Sequence, residues 1–239
     1  MPGEVMEHPG THEAEHAHTS RAVDHSVASM RLHMVEMGAL VIDQVASSVT
    51  SLLDHKVDLA RLVVSREAIV NDYDRRLDRD SLTFMALQQP VANDLRLARA
   101  IVRIGRELER VGDESKKIAR FALAFGAVST NDPVHAVSRH LRHMADLSVS
   151  MLKSAVRAAD EADGTMARAV IARDRELDAE FAAALREVMS YVLQDHRFIK
   201  PTIDTIFALK GLERIGDHAT NVAEQVLYML GEEYGAERP

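Results

Sequence analysis

Two short segments of this chain carry acids at a spacing that can hold a cation. Residues 107–120 read ELERVGDESKKIAR and residues 211–224 read GLERIGDHATNVAE, so Leu108, Glu109, Arg110, Gly112 and Asp113 recur as Leu212, Glu213, Arg214, Gly216 and Asp217, 104 residues further on. On a helix, a Glu and an Asp at i, i+4 have their Cβ atoms about 5–6 Å apart on one face, near enough to ligate one ion or bridge two. Like charges at that spacing destabilise an isolated helix by a few tenths of a kcal/mol, a cost a divalent cation reverses. Glycine inside a helix is about 1 kcal/mol worse than Ala, so Gly112 and Gly216 point to something packing closely on that face. The plainer alternative is ion pairing with Arg106, Arg110 and Arg214 on a solvated surface.

One helix earlier in each half, acids recur again: Glu67-x3-Asn71 followed by Asp74, and Asp174-x3-Asp178. Asp174 projects into the apolar stripe of its own segment, and a buried bare carboxylate must be protonated, paired or metal-bound. Asn71 leaves the first set with less negative charge, so two metal sites would be unequal. All-carboxylate ligation favours hard cations: magnesium, manganese, calcium or iron, with zinc less suited. A di-iron oxidase would need Glu-x-x-His pairs on bundle helices, and none occurs outside the N-terminal segment, where Glu13 precedes His16. His140, His143 and Asp146 form another conceivable cluster, read as surface residues and not as ligands. No phosphate-binding glycine loop, dinucleotide fingerprint, serine elbow or zincin motif is present.

The elements that must position these acids are helices. Gly (11) and Pro (6) are scarce in the 239 residues, aromatics are 4%, and Trp is absent, whereas Ala, Leu, Arg, Glu and Met abound. Most of the 11 Met residues fall at core spacing. There is no Cys, so disulfides and thiolate chemistry are excluded. A net charge of −8 argues against nucleic acid or anionic lipid as partner of the whole chain. No apolar run approaches the ~18 residues of a membrane span, and no signal-peptide core opens the chain, so a cytoplasmic protein without membrane insertion is expected.

Residues 1–20, with His8, His12, His16 and His18, read as a disordered His- and Glu-containing tail, a solvated extension more than a metal trap. Beyond it the 3.6-residue period is broken near 55–58, 87–94, 126–133, 160–165 and 195–201, which predicts six long antiparallel helices. Their arrangement is all-α: two tandem three-helix bundles related by duplication, at 21–128 and 129–232, with a C-terminal tail at 233–239. At 100° per residue the third and sixth helices place their acid pairs opposite their core stripes, so outward acidic faces are expected.

The segments QQPVANDLR (88–96), ELERVGDESKKIA (107–119), DRELDAEF (174–181) and LERIGDHATNVAEQVLY (212–228) resemble the PhoU family of phosphate-regulon regulators over about residues 25–232. The resemblance implies paired three-helix bundles, multinuclear metal sites and a cytoplasmic homodimer. It further implies a non-enzymatic negative regulator linking a phosphate ABC transporter ATPase to a phosphate-sensing histidine kinase. Carried over by position, the metal-motif residues are Glu67, Glu109, Asp113, Asp174, Asp178, Glu213 and Asp217, with Asn71 departing from the acidic pattern. The residues alone leave two alternatives open: a metal-dependent enzyme or metal-storage bundle, and a metal-free helical scaffold.

Overall fold

The computed structural model describes residues 10–125, 133–192 and 198–232, with side chains from Ala22 onward except at 125 and 192. Among these residues the chain forms α1 (Gly10–Leu53), α2 (Val57–Gln88), α3 (Ala92–Phe125), a single turn α4 (Pro133–Ala136), α5 (Ser138–Glu161), α6 (Gly164–Val192) and α7 (Ile199–Met229). The six long helices match the expected ones, and α4 is an extra turn opened by a proline at its first position, where a missing N–H costs nothing. The breaks at 126–132 and 193–197 lie outside the described residues, as does the 128/129 boundary between the halves.

Local chemistry accounts for the visible turns. The Asp163 carboxylate accepts the N–H groups of Thr165 (2.8 Å) and Met166 (3.0 Å), capping α6. Left-handed residues close the preceding helices: His55, Gln89 and Ala162. Asp58 sits within the first turn of α2 and does not cap it. α1 begins at Gly10, within the segment expected to be a tail. The helix formers Glu13, Ala14, Glu15 and Ala17 extend the packed helix backwards at little cost. The side chains of His8, His12, His16 and His18, and all of 233–239, lie outside what is described.

The helices pack as a square of four, α1–α3–α7–α5, with α2 laid into the α1/α3 groove and α6 into the α5/α7 groove. Each half is thus a three-helix bundle, and the halves meet along α3/α7 and α1/α5. The predicted stripes fill the middle: Ile101, Ile104, Leu108, Val111 and Ile118 of α3 face Ala208, Leu212, Ile215, Ala219 and Val222 of α7, all within one continuous apolar core. Met30, Met34, Met37, Met144 and Met151 are fully buried in it.

Candidate functional site

Gly112 and Gly216 set the geometry of the acids. A Cβ at Gly216 would come within 2.1 Å of Leu177 Cδ2, and one at Gly112 within 3.2 Å of Val70 Cγ1. The two glycines therefore let α6 close onto α7 and α2 onto α3, and Val70 and Leu177 occupy equivalent positions 107 residues apart. Glu67 and Asp174 stand at the same spacing, three residues before them, so the structure pairs Glu67 with Asp174 and Asn71 with Asp178. The acidic residues accordingly do not stand clear of neighbouring helices, as the helical wheel suggests: Glu67, Glu109, Asp113, Asp174 and Glu213 are half-buried, while Asp178 and Asp217 remain exposed at the rim. They line the α2/α3 and α6/α7 seams. A wheel gives a residue's angle to its own core but not the neighbour that covers its far side.

In the second seam Asp174 and Asp178 of α6 meet Glu213 and Asp217 of α7. Burial, the charge of Glu213 and that of Asp174 push the Asp217 carboxyl up to about 6, against the pull of Lys210. Asp178 adds a smaller push in the same direction. Lys210 Nζ donates to Glu213 Oε1 at 2.5 Å, while Glu213 Oε2 is buried with no hydrogen-bond partner. Thr220 Oγ1 reaches Asp174 Oδ1 at 3.4 Å. A cleft of about 600 Å³ opens beside these acids, lined also by Arg110, Glu114, Lys117, Arg214 and His218.

In the first seam the residue equivalent to Thr220 is Lys116. Its ammonium donates to Glu67 and lies 4.0 Å from Asp113. Arg106 holds Asp74 at 3.0 Å, and burial raises the Asp74 carboxyl despite that guanidinium. Burial, Asp113 and Asp74 likewise raise Glu109. In the first half an ammonium, Lys116, thus stands between Glu67 and Asp113 at the position that Thr220 takes in the second. The substitution is legible in the two repeats, at positions 116 and 220, once the register is known.

As the side chains stand, no three His, Asp or Glu residues among those described converge to cage an ion. The donor chemistry nonetheless fits a hard cation in the second seam: four carboxylates from two helices, one of them with a buried unsatisfied oxygen. Two further charged groups tie the helices together. His140 is buried, not a surface residue, with Nδ1 at 2.6 Å from Glu180 and Nε2 at 2.9 Å from Glu187, fastening α5 to α6 across two turns. His143 and Asp146 are exposed and do not join it. His218 Nδ1 and Asn221 Nδ2 reach Glu107 at 2.8 and 2.9 Å, tying α7 to α3. Burial alone would raise the Glu107 carboxyl, but these two bonds hold it below the usual range.

Fold and seams together define a class: a duplicated bundle of long helices whose outer helices are seated by glycines and edged with acids. The PhoU domain profile matches residues 34–122 and again 141–226, one match in each half. The chain belongs to the PhoU family. It is 35% identical over 225 residues to the phosphate-specific transport system accessory protein PhoU homologue of Rhizobium meliloti, covering 94% of both chains. The crystal structure of PhoU from Pseudomonas aeruginosa superimposes with a TM-score of 0.82 at 34% identity, covering 87% of this chain and 98% of that one. PhoU from Streptococcus pneumoniae shares the fold, with a TM-score of 0.77 at 22% identity. No helix among the described residues is long and apolar enough to cross a membrane.

Proposed function

We propose that this protein is a negative regulator of phosphate uptake and phosphate-responsive signalling. In this reading it is a cytoplasmic homodimer that acts by docking between a phosphate ABC transporter ATPase and a sensor histidine kinase, without catalysing a reaction. Its relatives' name, an accessory protein of a phosphate-specific transport system, supports the transport side of the reading.

A metal ion belongs to the proposal at the α6/α7 seam. The observation that carries it is the buried, unpartnered Oε2 of Glu213 beside the raised carboxyl of Asp217. Asp174, Asp178, Glu213 and Asp217 would hold a hard cation such as iron, manganese or magnesium. Bound there, the ion would supply positive charge that relieves carboxylate repulsion and stiffens α6 against α7, fixing the helix surfaces presented to partners. In the α2/α3 seam the Lys116 ammonium already lies between Glu67 and Asp113, so Glu67, Glu109 and Asp113 would hold a metal less tightly.

Metal analysis of protein purified without chelators tests this assignment. Iron, manganese or magnesium should be found and should be lost on Asp174→Ala with Asp217→Ala, whereas Lys116→Thr should raise the stoichiometry by freeing the first seam. Metal content indifferent to all three substitutions refutes the seam assignment. The regulatory reading is tested separately: deletion in the host should derepress phosphate-uptake genes in phosphate-rich medium, and unchanged expression would overturn it.

A further inference from the structure

The seams use the flanks of α3, but its outer face carries a different pattern. Arg96, Arg99, Arg103, Arg106 and Arg110 follow one another at steps of three and four, giving one guanidinium per turn along about 21 Å of helix. Four of the five are exposed, and Arg96 is partly so. Like charges at this spacing are mutually destabilising. Yet among the described residues only Arg106 of the five has a carboxylate within ion-pairing distance, Asp74 at 3.0 Å.

Neutral groups hold two of the others in place. Arg99 donates to Tyr228 Oη and Arg103 to Gln225 Oε1, each at 3.4 Å. Both guanidiniums also lie over the Tyr228 ring, 5.7 and 5.8 Å from its centroid. An aromatic platform orders a cation without cancelling its charge. The repeat supplies the control: 104 residues on, the same positions are Lys200, Ile203, Phe207, Lys210 and Arg214, with Ile203 and Phe207 exposed. The fold does not require the ribbon.

We propose that the arginine ribbon of α3, with the exposed Val91 and Leu95 at its start, is a docking surface for an acidic α-helix of a partner protein. A helix laid alongside α3 would repeat its carboxylates at the same three- and four-residue steps, so each arginine could meet one in a charge-assisted, two-pronged bond. Arg and Tyr are the side chains that dominate interface energetics, and exposed Val91 (70%) and Leu95 (42%) offer an apolar end stop. A bilayer or a nucleic acid fits less well, because the chain as a whole carries −8 and Asp74 flanks the ribbon. The inference uses neither metal nor phosphate and stands apart from the regulatory reading.

The probe is a synthetic Ala-based helix of about 20 residues with Glu at alternating three- and four-residue steps, and its Gln counterpart. Binding to the full-length protein is followed by fluorescence anisotropy in the presence of a chelator. The Glu helix should bind and weaken as salt is raised, the Gln helix should not bind, and Arg99→Ala with Arg103→Ala should cost about tenfold in affinity. Arg96→Gln with Arg110→Gln, at residues whose side chains make no hydrogen bond among the described residues, should weaken binding too, so a folding defect at Arg99 or Arg103 does not protect the idea. Lys200→Ala should leave binding unchanged. Equal binding of the Gln helix, indifference to both arginine pairs, or tighter binding to phosphatidylserine vesicles or duplex RNA would overturn the proposal.

Discussion

At Asp217 the fold keeps a carboxylate under electrostatic pressure, and the sign of its pH dependence follows. Its folded-state value, about 6, lies above the 3.8 of an unperturbed Asp. The folded protein therefore retains a proton that the unfolded chain gives up between these values, so stability falls as pH rises through the window and the full penalty applies above it. Asp217→Asn removes the penalty without removing volume. In chelator, the variant should melt at a higher temperature than the parent at pH 7.5, and the gap should narrow as the pH is lowered to 5. A variant less stable at pH 7.5 would mean that the seam carboxylates are mutually satisfied and have no use for a cation. Lys116 and Thr220 are the residue-scale counterpart: at one position of the repeat the first seam places an ammonium on Glu67 and the second a hydroxyl on Asp174. Its meaning was hidden in the sequence because Lys116 reads as an ordinary exposed cation until Glu67 is placed opposite it.

Glycines seat both outer helices, Gly105 and Gly112 under α2 and Gly216 under α6, and the contacts at Gly112 and Gly216 differ in tightness. Ala improves helix propensity over Gly by about 1 kcal/mol at both positions. At Gly112 the new methyl would press on Val70 at 3.2 Å, a shift of a few tenths of an ångström, so Gly112→Ala should be close to neutral. At Gly216 it would overlap Leu177, which is fully buried and cannot swing into solvent, so Gly216→Ala should destabilise by about 1–3 kcal/mol in denaturant titrations. Equal effects at the two sites would contradict the seam geometry. The helices themselves were legible, since Pro90, Asp163-Gly164 and Pro133 punctuate a strong 3.6-residue period. The seams were not: the wheel that put Glu109 and Asp113 opposite Leu108 cannot say that α2 closes over them. The burial of His140 was equally invisible, because its partners Glu180 and Glu187 lie on a helix whose rotation only packing decides.

Two repeats could fold as two bodies, but here they share one interior. Leu108 and Ile104 of the first half and Leu212 and Ile215 of the second belong to the same apolar core, and α1 packs on α5 as α3 packs on α7. Neither half can bury its inner face alone. Hydrophobic burial is worth about 25 cal/mol per Å², so a half released from its partner exposes two whole helix faces to water. The halves should therefore unfold together. Leu108→Ala should cost about 2–5 kcal/mol, and hydrogen exchange should show that cost equally at amides of α3 and of α7. Loss confined to the first half would mean that the repeats are thermodynamically separate. Coupling of this kind bears on any docking device built into the molecule. An ion that stiffens the α6/α7 seam, or a helix that engages α3, acts on elements that share one core, so its binding free energy stabilises both halves.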